Sequence, residues 1–93
     1  MKQCVKITIS GKVQGVGYRR HVQAEAEKLN IEGTVQNQDE GHVIIFACGP
    51  SENLDNFIDA LYRGPKKAQV ENVAVEPFVA QKDFRGVFRI IGL

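Results

Sequence analysis

The sequence predicts an α+β fold, a two-layer ferredoxin-like sandwich. Two helices cover one face of an antiparallel sheet of four to five strands, in the order β-α-β-β-α-β. Three observations predict it. The chain opens with alternating apolar residues, two later stretches change to helical periodicity, and glycine or proline punctuates nearly every change of pattern. Helices interleaved with hairpin-forming strands in this order close two layers around one core. The 93 residues are read as one domain, 1–93, without linker, repeat or low-complexity segment.

In residues 4–10, Val5, Ile7 and Ile9 point one way and Cys4, Lys6, Thr8 and Ser10 the other, as in a half-buried strand. A turn rich in glycine follows, with Gly11, Gly15 and Gly17. From Tyr18 to about Asn30 the pattern is helical, with Tyr18, Val22, Ala26 and Leu29 on one face. Residues 34–37 and 42–48 read as two strands of a hairpin whose tip carries Asp39, Glu40 and Gly41. Ser51 is expected to N-cap a second helix, with Glu52 in its first turn. Leu54, Phe57, Ile58 and Leu61 form its apolar stripe, and Gly64 and Pro65 stop it. Residues 70–76 read as a strand closed by Pro77, and a short final strand is expected around 88–91.

Composition narrows the function. With 43% hydrophobic and 25% charged residues the chain is expected to fold. Twelve basic against 11 acidic residues, a net charge of +1, argue against a general nucleic-acid binder but leave room for one local anion site. No apolar stretch approaches the length of a membrane span, and the first ten residues read as a strand rather than a signal peptide. No nucleic-acid or membrane partner is expected, and the expected location is cytoplasmic. Cys4 and Cys48 have neither metal-ligand spacing nor a catalytic signature around them.

One segment carries chemistry. Gly11-Lys12-Val13-Gln14-Gly15-Val16-Gly17-Tyr18-Arg19 joins a strand to a helix. Its glycines let successive N–H groups converge on one point, and the helix adds its unpaired amides and positive dipole end. Arg19, in the first helical turn, has the planar fork that grips phosphate oxygens. The loop from Gln14 to Arg19 therefore reads as an anion cradle, against the blander alternative of a glycine-rich turn beside an exposed arginine. It lacks the Gly-Lys-Ser/Thr ending of a nucleotide-binding P-loop and the βαβ context of a dinucleotide site. Asn37, ending a strand at a tight turn, offers both a donor and an acceptor, though an asparagine there is often only a turn former.

The residues 11–19 resemble the acylphosphatase family pattern G-x-V-Q-G-V-x-[FY]-R at every specified position. Gly33-Thr34-Val35-Gln36-Asn37, followed by Gly41, Val43 and Gly49, is similar to that family's second signature, with Thr34 where the family has an aromatic. The resemblance covers essentially the whole chain. It implies hydrolysis of acyl phosphates, small or carried on proteins, to a carboxylate and inorganic phosphate, without metal or other cofactor. By position it makes Arg19 the phosphate-binding residue and Asn37 the residue that orients the attacking water. The cradle amides would be those of Gly15, Val16, Gly17, Tyr18 and Arg19. Thr34 puts in doubt a packing contact under the site. A monomer is expected.

A carboxylate is a good leaving group, so positioning and electrostatics suffice where no His-Asp pair is evident. Arg20, rotated about 100° from Arg19 on the helix, is expected to face solvent or tune the local potential. His21 and His42 are expected at the surface. The runner-up is a non-catalytic module of the same fold that binds phosphate or carbamoyl phosphate.

The fold also bears on the cysteines. Cys4 starts the first strand and Cys48 ends the third, and in a ferredoxin-like sheet these are antiparallel neighbours. Both should lie on the outer face, so a disulfide is geometrically feasible, whereas a reducing cytosol argues against it. The outer face also carries Ile44 and Phe46, which either attract a partner or are covered by the final residues.

Overall fold

The computed structural model describes residues 2–92. Strands β1 (Lys2–Lys12), β2 (Glu32–Asn37), β3 (Val43–Pro50), β4 (Gln69–Pro77) and β5 (Phe88–Ile91) form one sheet, and helices α1 (Tyr18–Lys28) and α2 (Ser51–Arg63) pack on one of its faces. The strand order is β4-β1-β3-β2-β5. The four expected strands pair antiparallel, but β5 pairs parallel to β2, so the sheet is mixed rather than wholly antiparallel.

The strand parity is as the sequence reads. Ile7, Ile9, Val35, Val43, Ile45, Ala47, Val73 and Phe88 meet Tyr18, Val22, Ala26, Leu54, Phe57 and Leu61 in a single core. Phe57 and Phe88 meet edge to face at 6.0 Å, a favoured aromatic arrangement. Strand β1 is longer than its apolar alternation, because β3 pairs with it from Lys2 to Ile9 and β4 from Val5 to Lys12. Helix α1 stops at Lys28 because Asn30 takes a left-handed conformation (φ 55°), while the Ile31 N–H bonds back to Ala26 O at 2.8 Å.

Two local expectations are corrected. Ser51 does not cap α2: Pro50 holds the cap position in an extended conformation and Ser51 is the first helical residue, with no side-chain cap bond. Strand β3 runs on through Pro50, paired with Lys2, and α2 begins at the next residue. His21 is not a surface residue either. It is half-buried, and its Nε2 lies 3.1 Å from the Ala60 carbonyl, tying α1 to α2.

Tyr18 is the other tie between the helices. It is 1% exposed, and its hydroxyl donates to Leu61 O at 2.8 Å. That carbonyl lies in the last turn of α2, where no intrahelical donor remains. Burial pushes the Tyr18 phenol far up, so it stays protonated and able to donate.

On the outer face, Cys4 and Cys48 are direct cross-strand partners, with Cα atoms 4.1 Å apart and a disulfide between them. Thr34 also lies on this face, paired with Phe46, and not beneath the inward-facing Asn37. Phe78 covers Phe46 at 5.0 Å, and Gln81, Lys82 and Phe84 line the same groove, so the chain's own segment before β5 covers much of this face.

Tyr18→Phe should lower unfolding free energy by about 1–2 kcal/mol, measured by denaturant titration, since it strands a buried carbonyl without opening a cavity. The disulfide spans 44 residues of chain, for which loop entropy predicts a contribution of roughly 4 kcal/mol. The Cys4→Ser/Cys48→Ser protein should therefore unfold at clearly lower denaturant, and the oxidised wild type should show no titratable thiol.

Candidate active site

Sheet topology decides where the site forms. Strands β1 and β2 both run antiparallel to β3, and β5 runs parallel to β2, so the C-terminal ends of β1, β2 and β5 share one end of the sheet. That brings together the β1–α1 loop, Asn37 at the end of β2, and Ile91 at the end of β5.

The loop, residues 13–17, is anchored at both ends by buried side chains, Val13 and Tyr18, each 1% exposed. Val16 turns inward and packs against the core. Between them Gly15 (φ 72°) and Gly17 (φ 78°) adopt left-handed conformations. A side chain at either would meet nothing within 4 Å, so backbone conformation rather than space calls for glycine there. Gly17 is also the residue before α1; no side chain caps that helix and no acid stands in its first turn. Its first amides are thus left to solvent or a ligand, at the positive end of the helix dipole.

Arg19 is half-buried, and its Nη1 donates to Ile91 O at 3.2 Å, which steadies the guanidinium from the side of β5. Asn37, also half-buried, sits on the inner face. Its Oδ1 is buried and has no hydrogen-bond partner among the described residues. A buried amide oxygen without a donor costs about 1–3 kcal/mol, so one at a cavity wall points to a bound donor. The cavity, about 300 Å³, is lined by Val13, Gly15, Gly17, Tyr18, Arg19, Arg20, Asn37 and Ile90.

Most of the residues singled out from sequence therefore meet. Gly15, Gly17, Tyr18, Arg19 and Asn37 line one cavity, while Val16 is not part of its lining and packs against the core. Arg20 is exposed, as expected, and also lines the cavity mouth.

Sequence reasoning placed Gln14 at the start of the cradle but missed what its side chain does. Its Nε2 donates to Gln38 O at 2.8 Å and to His42 O at 2.9 Å, the carbonyls on the two arms of the β2–β3 turn. The Gln38 N–H bonds the same His42 carbonyl, at 2.8 Å. One side chain thus fastens the cradle to the turn that begins just after Asn37. Nothing in the spacing marks this, because the partners are main-chain atoms remote in sequence. Among the described residues the lining holds no carboxylate, thiol or imidazole. Amide N–H groups and a guanidinium suit a tetrahedral anion, and the free Asn37 oxygen suits a water's proton.

Comparison with known proteins agrees. The acylphosphatase family model matches residues 5–90. The chain is 42% identical over 89 residues to the acylphosphatase of Vibrio parahaemolyticus, covering 96% of this chain and 97% of that one. It is 40% identical to that of Salinibacter ruber, covering 92% and 90%. Among solved structures, an acylphosphatase from Coxiella burnetii superposes with a TM-score of 0.89 at 37% identity, over 97% of this chain and 93% of that one. A full-length HypF in a phosphate- and nucleotide-bound form gives 0.90 at 29% identity, over 99% of this chain but only 12% of its own. By family model and by relatives matched over nearly their whole length, this chain belongs to the acylphosphatase family.

Proposed function

We propose that this protein hydrolyses acyl phosphates to a carboxylate and inorganic phosphate. Arg19 and the amides of Gly15 to Arg19 bind the phosphoryl group, and Asn37 orients the attacking water. The observation that carries this reading is the unpartnered Asn37 Oδ1 on the wall of the cavity that Arg19 and the uncapped end of α1 also line. An anion-binding module needs the cradle. It does not need a buried acceptor kept open beside it.

In the proposed reaction the phosphoryl oxygens rest on the loop amides and the Arg19 guanidinium. Water donates one hydrogen bond to Asn37 Oδ1, which directs a lone pair at phosphorus opposite the acyl oxygen. The P–O bond to the acyl group breaks as the bond to water forms, and the carboxylate leaves with the bonding pair. The water's proton passes to phosphate or solvent. Because the leaving group is a weak base, it calls for no general acid, and positioning with charge stabilisation carries the step.

The second reading, a phosphate-binding module without turnover, draws on the match to a small part of HypF. One assay separates the two: hydrolysis of acetyl phosphate in the presence of a chelator. Turnover is expected, whereas phosphate binding without turnover would establish the module. Arg19→Ala and Asn37→Ala should each lose on the order of 100–1000-fold in rate while staying folded. Arg19→Lys should fail as well, because a point charge does not replace the fork. Near wild-type turnover by any of the three would overturn the assignment. Gln14→Met, which keeps length but removes both donors, should lower kcat more than it raises KM, by freeing the cradle from the Asn37 turn.

A further inference from the structure

Thr34 remains unexplained by this chemistry. It stands where the second signature carries an aromatic residue, and it lies on the outer face of the sheet, paired with Phe46. A cleft of about 280 Å³ opens beside it. Phe46, Phe78 and Phe84, all half-buried, give the cleft aromatic walls together with Ile91. Gln36, Gln81 and Lys82, all exposed, give it polar ones. A ring at position 34 would project into this space, and threonine leaves it open between three phenyl rings.

The cleft has a fixed roof. Residues 78–84 cross the sheet with both ends pinned: the Phe78 N–H donates to Cys4 O at 3.2 Å, and beyond Phe84 the Gly33 N–H donates to Val87 O at 3.0 Å. The Arg85 N–H on Asp83 Oδ1, at 2.8 Å, holds the turn between them. Phe78 rests on Phe46 with ring centroids 5.0 Å apart. The cleft is also separate from the catalytic cavity. Successive strand residues face opposite sides of a sheet. Asn37 and Ile90 line the cavity on the helix side, whereas Gln36 and Ile91 line the cleft on the other.

Size and lining name the occupant. An apolar cavity of roughly 150 Å³ takes up benzene, so about 280 Å³ admits one aromatic ring with a polar substituent. Phenyl faces and edges favour a flat aromatic ring over an aliphatic one of the same size. The amides of Gln36 and Gln81 each offer a donor and an acceptor, which another amide complements on both counts; a carboxylate would meet only their donors. The Lys82 ammonium is a further donor for an amide carbonyl. We propose that this outer cleft is a second ligand site, which takes a small aromatic amide without displacing acyl phosphate from the cradle. The ring stands among Phe46, Phe78 and Phe84, and the carboxamide faces the glutamines.

The test titrates benzamide into isotope-labelled protein and follows the backbone amide shifts. Cyclohexanecarboxamide is the non-aromatic control, and inorganic phosphate is the cradle ligand. Benzamide should give saturable shifts at Thr34, Gln36, Phe84 and Ile91, with a Kd of the order of 1 mM, ordinary for so few atoms. The control should bind about fivefold more weakly, and phosphate should not displace benzamide. Thr34→Phe should abolish binding while unfolding at no lower denaturant, since its own ring fills the cleft. Gln81→Met, on the exposed roof, should weaken binding by about fivefold, and it decides the matter should Thr34→Phe not fold. The proposal is overturned by the absence of saturable shifts, by displacement with phosphate, or by wild-type affinity in either variant. Equal binding of the control overturns it too. Shifts at the same residues that grow with protein concentration alone would put a second copy there instead. None of these results bears on acetyl phosphate turnover, on which the hydrolase reading stands.

Discussion

The site depends on the burial of Tyr18. A cradle made of backbone N–H groups has no strength of its own; it works only if its amides are held in place before the anion arrives. Tyr18 provides the hold because its ring is locked in the core and its hydroxyl is bonded to the last turn of α2. That fixes the starting point of α1, and with it the direction in which the uncapped amides and Arg19 are presented. A surface residue at this position would leave the loop's two left-handed glycines free to wander. The core and the site thus share one residue, and stability and preorganisation are coupled there.

The remaining parts are brought to the cradle by strand direction. Two strands antiparallel to a common neighbour must end at the same side of a sheet, which carries Asn37 from β2 to the loop after β1. The parallel pairing of β5 adds a main-chain carbonyl at the same end, and Arg19 uses it. Gln14 then closes the arrangement by spanning from the cradle to the β2–β3 turn. Each contact is local and modest, but all converge on one cavity wall. Asn37 there keeps a buried oxygen open, which costs stability unless function uses it.

Charge is distributed to the same end. Positive charge at the cavity comes from a helix terminus, Arg19 and Arg20, with no acidic side chain among the described residues that line it. The overall balance of the chain is close to neutral, so this local excess is a matter of placement and not of composition. The face of the sheet opposite the helices carries covalent and aromatic ties. There the Cys4–Cys48 disulfide crosses β1 and β3, and Phe78 folds over Phe46.

The sequence by itself determined the element order, the inward faces of the strands and the glycine-rich turn that enters α1. These follow from periodicity, from glycines and from the step from strand to helix, all of which act over a few neighbouring residues. It also singled out Asn37, through its place in a second signature. The parallel pairing of β5, the Gln14 tether, the His21 tie to α2 and the entry of Arg20 into the cavity were decided only by tertiary structure. The physical reason is common to them. Each joins a side chain or strand to main-chain atoms or cavity walls far away in sequence, and main-chain partners leave no residue-specific mark in the sequence. At the start of α2 the strand pairing reaches Pro50, which holds the cap position, and Ser51 is already helical.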